Sequence, residues 1–316
     1  MPPKTPASKA SLSSSLRLAA LDIKLTHSVF ALPFALLGAA LAAFPPGASS
    51  AGPAPRDHRA LVEKFALIIL CMVLARTWAM LINRIADARI DAANPRTAGR
   101  AVASGRLPPR TAMALALACA LGFTGAAAAF WPLFSNPWPL ALALPVLAWL
   151  ALYSYAKRFT LLCHMLLGSA LAISPISAAL AIDPSSLAHT PALYALSAMV
   201  LCWVAGFDII YALQDESFDR ARGLHSIPAA LGPRRAVYIS RTLHAAAVAA
   251  LFISYALEAR FGLLFLTGVA VAALCLIAEH IVLQRRGLAG LPLAFFTLNG
   301  IVSCTLGALG ITDCFI

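Results

Sequence analysis

The chain has 316 residues, of which 61% are hydrophobic and only 12% charged, with a formal net charge of +11 and a mean hydropathy of +0.83. Soluble domains carry roughly a quarter charged residues, so this composition excludes one and points to a polytopic membrane protein. The 24 Lys and Arg stand in short clusters between apolar runs; such clusters argue against a nucleic-acid surface and record membrane topology instead.

Residues 1–20 are rich in Ser, Ala, Pro and Lys and lack an early apolar core. They are predicted to form a disordered, basic, cytoplasmic tail and not a cleaved leader, leaving 21–316 as the membrane domain. Apolar runs follow at about 26–44, 65–82, 111–130, 138–156, 160–182, 190–211, 235–257, 261–283 and 291–313. A hydrocarbon core of ~30 Å takes ~20 residues of helix, so each run is a candidate span. Pro33, Pro145 and Pro175 fall inside spans and predict kinks. The cysteines Cys71, Cys119, Cys163, Cys202, Cys275, Cys304 and Cys314 form no C-x-x-C pair and lie mostly within the runs, as small packing residues do.

Alternate connections differ sharply in charge. Eighteen Lys and Arg fall on the side of the N-terminal tail, and four (Arg56, Arg59, Lys64, Arg260) on the other. The positive-inside rule then places the N-terminus in the cytoplasm and, with nine spans, the C-terminus outside. The expected fold is all-α: a bundle of nine transmembrane helices around a central cavity, in the inner membrane.

Of only 13 Asp and Glu, six lie in two connections on the cytoplasmic side. Asp87 and Asp91 end the second span; Asp208, Asp215, Glu216 and Asp219 end the sixth. Asp87 to Asp215 and Asp91 to Asp219 are both 128 residues, so a D-x-x-x-D recurs four helices later, facing the same leaflet. On an ideal helix Arg76, Asn83, Asp87 and Asp91 share one face about 80° wide, and so do Asp208, Tyr211, Asp215 and Asp219. Solvated loop charges would account for one such motif better than for two at equal spacing.

Two facing pairs of carboxylates repel unless a cation compensates them. Oxygen ligands without a nearby His or Cys cluster favour Mg²⁺, which typically completes its shell with substrate phosphate. A diphosphate is therefore the inferred ligand. Arg84, Arg89, Arg96, Arg100, Lys157, Arg158, Arg220 and Arg222 are candidates to hold its other oxygens. A diphosphate at the mouth of an apolar bundle implies a lipid-like tail inside.

At these residues the sequence resembles the UbiA superfamily of intramembrane prenyltransferases. The match runs through N-x-x-x-D-x-x-x-D (Asn83, Asp87, Asp91), N-x-R-T-x-x-R (Asn94, Arg96, Thr97, Arg100) and S-G (Ser104, Gly105). It continues with Y-S-Y-A-K-R-F-T, holding Lys157 and Arg158, and D-x-x-Y-A-x-x-D-x-x-x-D-x-x-x-G (Asp208, Tyr211, Asp215, Asp219, Gly223) with Ser226. It covers about residues 20–316. Many relatives have Asp after the motif's Asn, where this chain has Arg84.

The resemblance implies transfer of a polyprenyl group from polyprenyl diphosphate to a ring carbon of an aromatic acceptor. In that reading Asp87 and Asp91 hold one Mg²⁺, Asp215 and Asp219 another, and Asn83 bonds the diphosphate or a water on the metal. Asp208 and Tyr211 steady the allylic cation or orient the acceptor. The second segment, with Q-D-x-x-F-D and G-L-H-S-I-P, looks like the 4-hydroxybenzoate polyprenyltransferase subgroup of ubiquinone biosynthesis. Some members of that subgroup serve a menaquinone route, so a naphthoate-type or futalosine-pathway acceptor is the alternative. Arg76 is a candidate for the acceptor carboxylate or for a structural pair; His27 is a candidate for the acceptor mouth or a helix-end residue; His164, Glu279 and His280 are expected in interhelical bonds.

Two readings of other classes compete. An ion-coupled transporter predicts acids near the bilayer midplane and an inverted repeat, whereas an offset of four helices preserves orientation. A CDP-alcohol phosphotransferase needs a D-G-x-x-A-R segment that this chain lacks.

Overall fold

The computed structural model describes Leu18, residues 30–44 and residues 57–316. The predicted basic tail, His27, Arg56 and the start of the first predicted span lie outside the described residues. Among the described residues there is no strand. The helices are α1 (Leu32–Ala43), α2 (His58–Ala86), α3 (Ala88–Ala93), α4 (Pro109–Phe134), α5 (Trp138–Ala156) and α6 (Cys163–Ile182), then α7 (Ala192–Ala212), α8 (Glu216–Ala221), α9 (Ile227–Leu231), α10 (Pro233–Leu257), α11 (Leu263–Arg286) and α12 (Asn299–Asp313). Eight of the described segments are long and apolar enough to cross a membrane, and α1 is a shorter apolar helix. The eight match the second to ninth predicted runs, and α1 falls within the first.

Local signals set the helix ends. Asp57 caps α2 by accepting hydrogen bonds from the backbone N–H groups of Arg59 (3.0 Å) and Ala60 (3.1 Å), which satisfies two donors that no helical carbonyl can reach. At the far end of α1, Arg260 donates from Nη1 to the Leu41 carbonyl (2.9 Å) and from Nε to Glu258 (2.7 Å), so a cation neutralises the exposed carbonyls of that terminus.

Chain-adjacent spans pack side by side, with α7 wedged between α6 and α10, and α1 between α6 and α12. Small residues make this possible. A Cβ on Gly168 would lie 2.5 Å from the Leu201 carbonyl oxygen, so only glycine lets α6 approach α7 so closely. The buried centre is aromatic: Trp203 meets Phe30, Phe34 and Phe207 edge-on or tilted and donates from Nε1 to Asn299 Oδ1 at 2.6 Å. Asn299 Nδ2 in turn donates to the Ala294 carbonyl (3.0 Å), pinning a π-helical turn over Leu293–Leu298 that enters α12.

The predicted polar stripes both cross a break in their helices. The α2 helix stops at Ala86 and restarts as α3, with Asp87 between them at φ −90°, ψ 5°. The α7 helix stops at Ala212 and, after one 3-10 turn, restarts as α8, with Asp215 before it at φ −103°, ψ 3°. This bridge conformation is sparsely populated and common at functional sites. Both short helices have six residues, and their ends repeat the 128-residue offset of the acids.

Candidate active site

The two breaks face each other across one cavity of about 530 Å³ at the end of the bundle. Asn83, Asp87 and Asp91 line it from α2 and α3, and Asp208, Tyr211, Asp215 and Asp219 from α7 and α8. Arg76, Arg96, Arg100 and Lys157 complete its wall. All four acids of the two D-x-x-x-D motifs are thus on one side of the molecule and in one space.

The carboxylates do not meet one another bare. Arg158 reaches Asp87 (Nη2 to Oδ1, 2.8 Å), and Arg100 holds both oxygens of Asp91 (2.8 Å each). Asp215 accepts from Arg96 (Nε to Oδ1, 3.0 Å; Nη2 to Oδ2) and from Asn94 (2.8 Å), so the connection after α3 grips the opposite acid. Arg96 also donates to the Tyr211 hydroxyl at 3.2 Å. Burial alone would lower the Arg96 guanidinium, but the hydrogen bond and charge of Asp215 outweigh it and raise it above its ordinary value. Burial pushes the Asp87 carboxyl above the usual carboxylate range, against the pull of Lys157 and Arg158.

Asp219 differs from the other three. It is buried, and its Oδ1 makes no hydrogen bond. Gly223, at φ +66°, lets the chain turn back after α8; the His225 N–H then bonds the Lys157 carbonyl (2.6 Å). That turn brings Ser226, which caps α9 through the Ala229 N–H (3.3 Å), into the cavity wall.

Among the described residues no three His, Cys, Asp or Glu side chains gather as a ready metal site, because guanidinium groups hold three of the acids. The donor set is nonetheless one of hard oxygens with an orphaned buried carboxylate oxygen at Asp219, which fits Mg²⁺.

Beneath the acids lies a second polar layer. Arg76 and Tyr153 line both this cavity and an adjoining apolar channel of about 210 Å³, walled by residues such as Ala127, Phe130, Ala143 and Ala178. Arg76 Nε is buried and makes no hydrogen bond, so the structural pair weighed for it is not formed through that atom. From Leu167 to Ala181 the channel follows 15 residues of α6, about 21 Å at a rise of ~1.5 Å per residue.

Not every expected cation reaches this space. Arg89, Arg158, Arg220 and Arg222 do not line the cavity; Arg158 spends its donors on Asp87 and on the Ser154 and Ala86 carbonyls, Arg220 pairs with Glu216 and Arg222 lies over Phe218. Arg84 is buried and donates to Asn83 Oδ1 (3.0 Å). Sequence reasoning passed over Phe295, whose ring lies 4.3 Å from that of Tyr211 and which no motif marks. His164 was expected only in an interhelical bond; it makes one, to Asp208, and also lines the cavity. His280 bonds His244 across α11 and α10 at 3.1 Å, but Glu279, fully buried on α11, makes no hydrogen bond through either carboxylate oxygen among the described residues, against the interhelical bond expected for it.

Comparison with known proteins bears on this arrangement. The model of the UbiA prenyltransferase family matches residues 31–301. A 4-hydroxybenzoate octaprenyltransferase of Azotobacter vinelandii is 31% identical over 71% of this chain and 72% of its own. One of Francisella tularensis subsp. novicida is 26% identical over 74% and 79%. Among solved structures, the apo form of a UbiA homologue from Aeropyrum pernix K1 superposes with a TM-score of 0.78 at 33% identity, over 92% of this chain and 98% of that one. A UbiA homologue from Archaeoglobus fulgidus bound to DMAPP and Mg²⁺ shares the fold, with a TM-score of 0.63 at 21% identity over 96% and 99%.

Proposed function

Because the chain belongs to the UbiA prenyltransferase family, and is thus an integral membrane prenyltransferase, we propose that it transfers a polyprenyl group from polyprenyl diphosphate to a ring carbon of 4-hydroxybenzoate, in an Mg²⁺-dependent reaction at the cytoplasmic face of the inner membrane. One observation carries the reading: a cavity lined by both acid pairs opens, through Arg76 and Tyr153, onto an apolar channel. That is the shape and polarity of a charged head joined to a hydrocarbon tail, with a place for an aromatic acid between. The names of the curated relatives support the acceptor, and the ligands of the Archaeoglobus fulgidus homologue support the donor and metal.

In this mechanism Asp87, Asp91, Asp215 and Asp219 would hold Mg²⁺. The ion, when bound, supplies charge neutralisation for the departing diphosphate. Arg96, Arg100 and Arg158 exchange their carboxylate partners for diphosphate oxygens, with Lys157 and Asn83 beside them, because phosphate takes the same charge-assisted, forked hydrogen bonds. The α5 and α6 walls exclude water that would otherwise capture the allylic cation as an alcohol. Tyr211, tilted against Phe295, presents an aromatic face in the cavity wall, where a cation is attracted. Arg76, whose Nε makes no hydrogen bond among the described residues, binds the acceptor carboxylate. A naphthoate-type or futalosine-pathway acceptor is the second reading, because some members of the subgroup that the Q-D-x-x-F-D and G-L-H-S-I-P segment resembles serve a menaquinone route.

Membranes containing the protein, given labelled polyprenyl diphosphate, Mg²⁺ and either 4-hydroxybenzoate or a naphthoate, test this directly. The expected result is prenylated 4-hydroxybenzoate, lost on chelation. Prenylated naphthoate alone would overturn the acceptor, and no aromatic product with full metal would overturn the reading.

A further inference from the structure

Prenylating a ring carbon leaves that carbon with one proton too many, and the proposed reaction therefore needs a base near the acceptor. The acids of the outer layer are poor candidates. Asp87, Asp91, Asp215 and Asp219 are the set proposed to hold the metal beside the diphosphate, and the first three each hold an arginine. Asp208 is different. It lies seven residues before Asp215, about two helical turns or 10 Å deeper in the bundle, where Tyr153 and Arg76 line the same cavity. No arginine or lysine pairs with it among the described residues. Its hydrogen-bond partner is His164, whose Nδ1 lies 2.7 Å from Asp208 Oδ2.

The backbone settles how that histidine is protonated. The Ile227 N–H donates to His164 Nε2 at 3.3 Å, so Nε2 presents its lone pair and the ring proton is on Nδ1, aimed at Asp208. Ile227 is the first residue of α9, held by the Ser226 cap, and His164 is itself buried at 3% exposure. The imidazole is thus locked in place and tautomer. Its hydrogen bond engages one Asp208 oxygen and leaves the other without a hydrogen bond among the described residues, on a side chain that lines the cavity and is 24% exposed. A base oriented by a third group has this arrangement.

We propose that Asp208 is the base that removes the ring proton in the acceptor layer, and that His164 is the positioning residue that fixes it, an inference that rests on the aromatic acceptor proposed above. The bond between the allylic carbon and the diphosphate oxygen breaks, and its electron pair leaves with the diphosphate. A π pair of the ring forms the new carbon–carbon bond to the allylic carbon. The proton on that ring carbon passes to the free Asp208 oxygen, and its bonding pair restores the aromatic ring. Asp208, now neutral, returns the proton to water at the cavity mouth. His164 keeps its Nδ1–H on Asp208 throughout.

Three readouts on the full-length protein in membranes separate this from a structural role. Ionisation is followed by scrambling of ¹⁸O between bridging and non-bridging positions of geranylgeranyl diphosphate. Transfer is followed by the prenylated product, and proton removal by the rate ratio between 4-hydroxybenzoate and its ring-deuterated form. Asp208→Asn and His164→Leu are expected to keep scrambling within about threefold and to lose transfer by roughly 100-fold, the low end for a general base. In them the deuterium effect, close to one in the wild type, becomes normal and large, because proton removal is now limiting. His164→Asn keeps an amide donor where Nδ1 was and restores transfer. His164→Gln moves the donor away and behaves as His164→Leu does, which keeps the test decisive if the leucine variant does not fold. Parallel loss of scrambling and transfer in both Leu and Gln variants, with no deuterium effect, would overturn the base assignment, as would unchanged transfer in Asp208→Asn. A wild type that scrambles label but prenylates no ring would overturn the acceptor reading and this inference together.

Discussion

Ala88–Ala93 and Glu216–Ala221 are six-residue helices set 128 positions apart, each launched from an aspartate in the same backbone conformation, yet their acids keep different company. In the first segment both acids are held by arginines, Arg158 on Asp87 and Arg100 on Asp91. In the second, Asp215 is gripped from across the cavity by Asn94 and Arg96, while Asp219 keeps a buried oxygen with no partner. The inner layer diverges further. The same offset pairs Asp208 with Met80 and Arg76 with Val204, and all four line the cavity. A duplicated backbone thus presents like charges at the mouth, where the proposed diphosphate would bind, and opposite polarities below it, where the proposed acceptor would be held in one orientation.

The sharpest way to break this comparison is to remove one acid from each half. Asp87→Ala and Asp215→Ala should each lower transfer by at least about 10²–10³-fold, the scale of losing preorganised charge stabilisation, while the protein stays inserted and folded. Wild-type turnover of either variant with full Mg²⁺ would show that the two halves do not share the chemistry. Below the mouth, Arg76→Ala should raise KM for the acid acceptor by about 10–100-fold, the loss of a charged hydrogen bond worth ~1.5–3 kcal/mol, and leave KM for the prenyl diphosphate within about threefold. Equal effects on both substrates would return Arg76 to a structural role. Smallest is Met80→Leu, at the position that the repeat pairs with Asp208. A volume-conserving swap costs under ~1.5 kcal/mol, so transfer rates should change by less than a factor of a few, in contrast with Asp208→Asn. A large loss would mean that the inner layer is symmetric in function after all.

The sequence made the acids legible because a membrane protein keeps so few of them: two D-x-x-x-D motifs at one offset stand out where every charge is costly. Eight of the nine expected spans were legible for the same reason, since length and hydropathy decide them. The pairing of acids with Arg96, Arg100 and Arg158 was not, because those residues were read as phosphate ligands and nothing in their spacing says that a guanidinium folds back onto a carboxylate. The break at Asp87 was also hidden: N-R-I-A-D-A-R-I-D contains no Gly or Pro, and tertiary contacts make the turn. The Asp208–His164 pair joins residues 44 apart, and Phe295 reaches Tyr211 through a π-helical turn that hydrophobic periodicity does not register.

The central claim is that the two halves build one diphosphate site, and the binding of a non-ionising prenyl diphosphate analogue with Mg²⁺ tests it most directly. Dissociation constants for the wild type, Asp87→Asn, Asp215→Asn and the double variant form a cycle between residues of opposite halves. The account predicts a coupling of at least about 1 kcal/mol, because each carboxylate acts on the same bound headgroup. Additivity within about 0.5 kcal/mol, the behaviour of distant and independent positions, would contradict it.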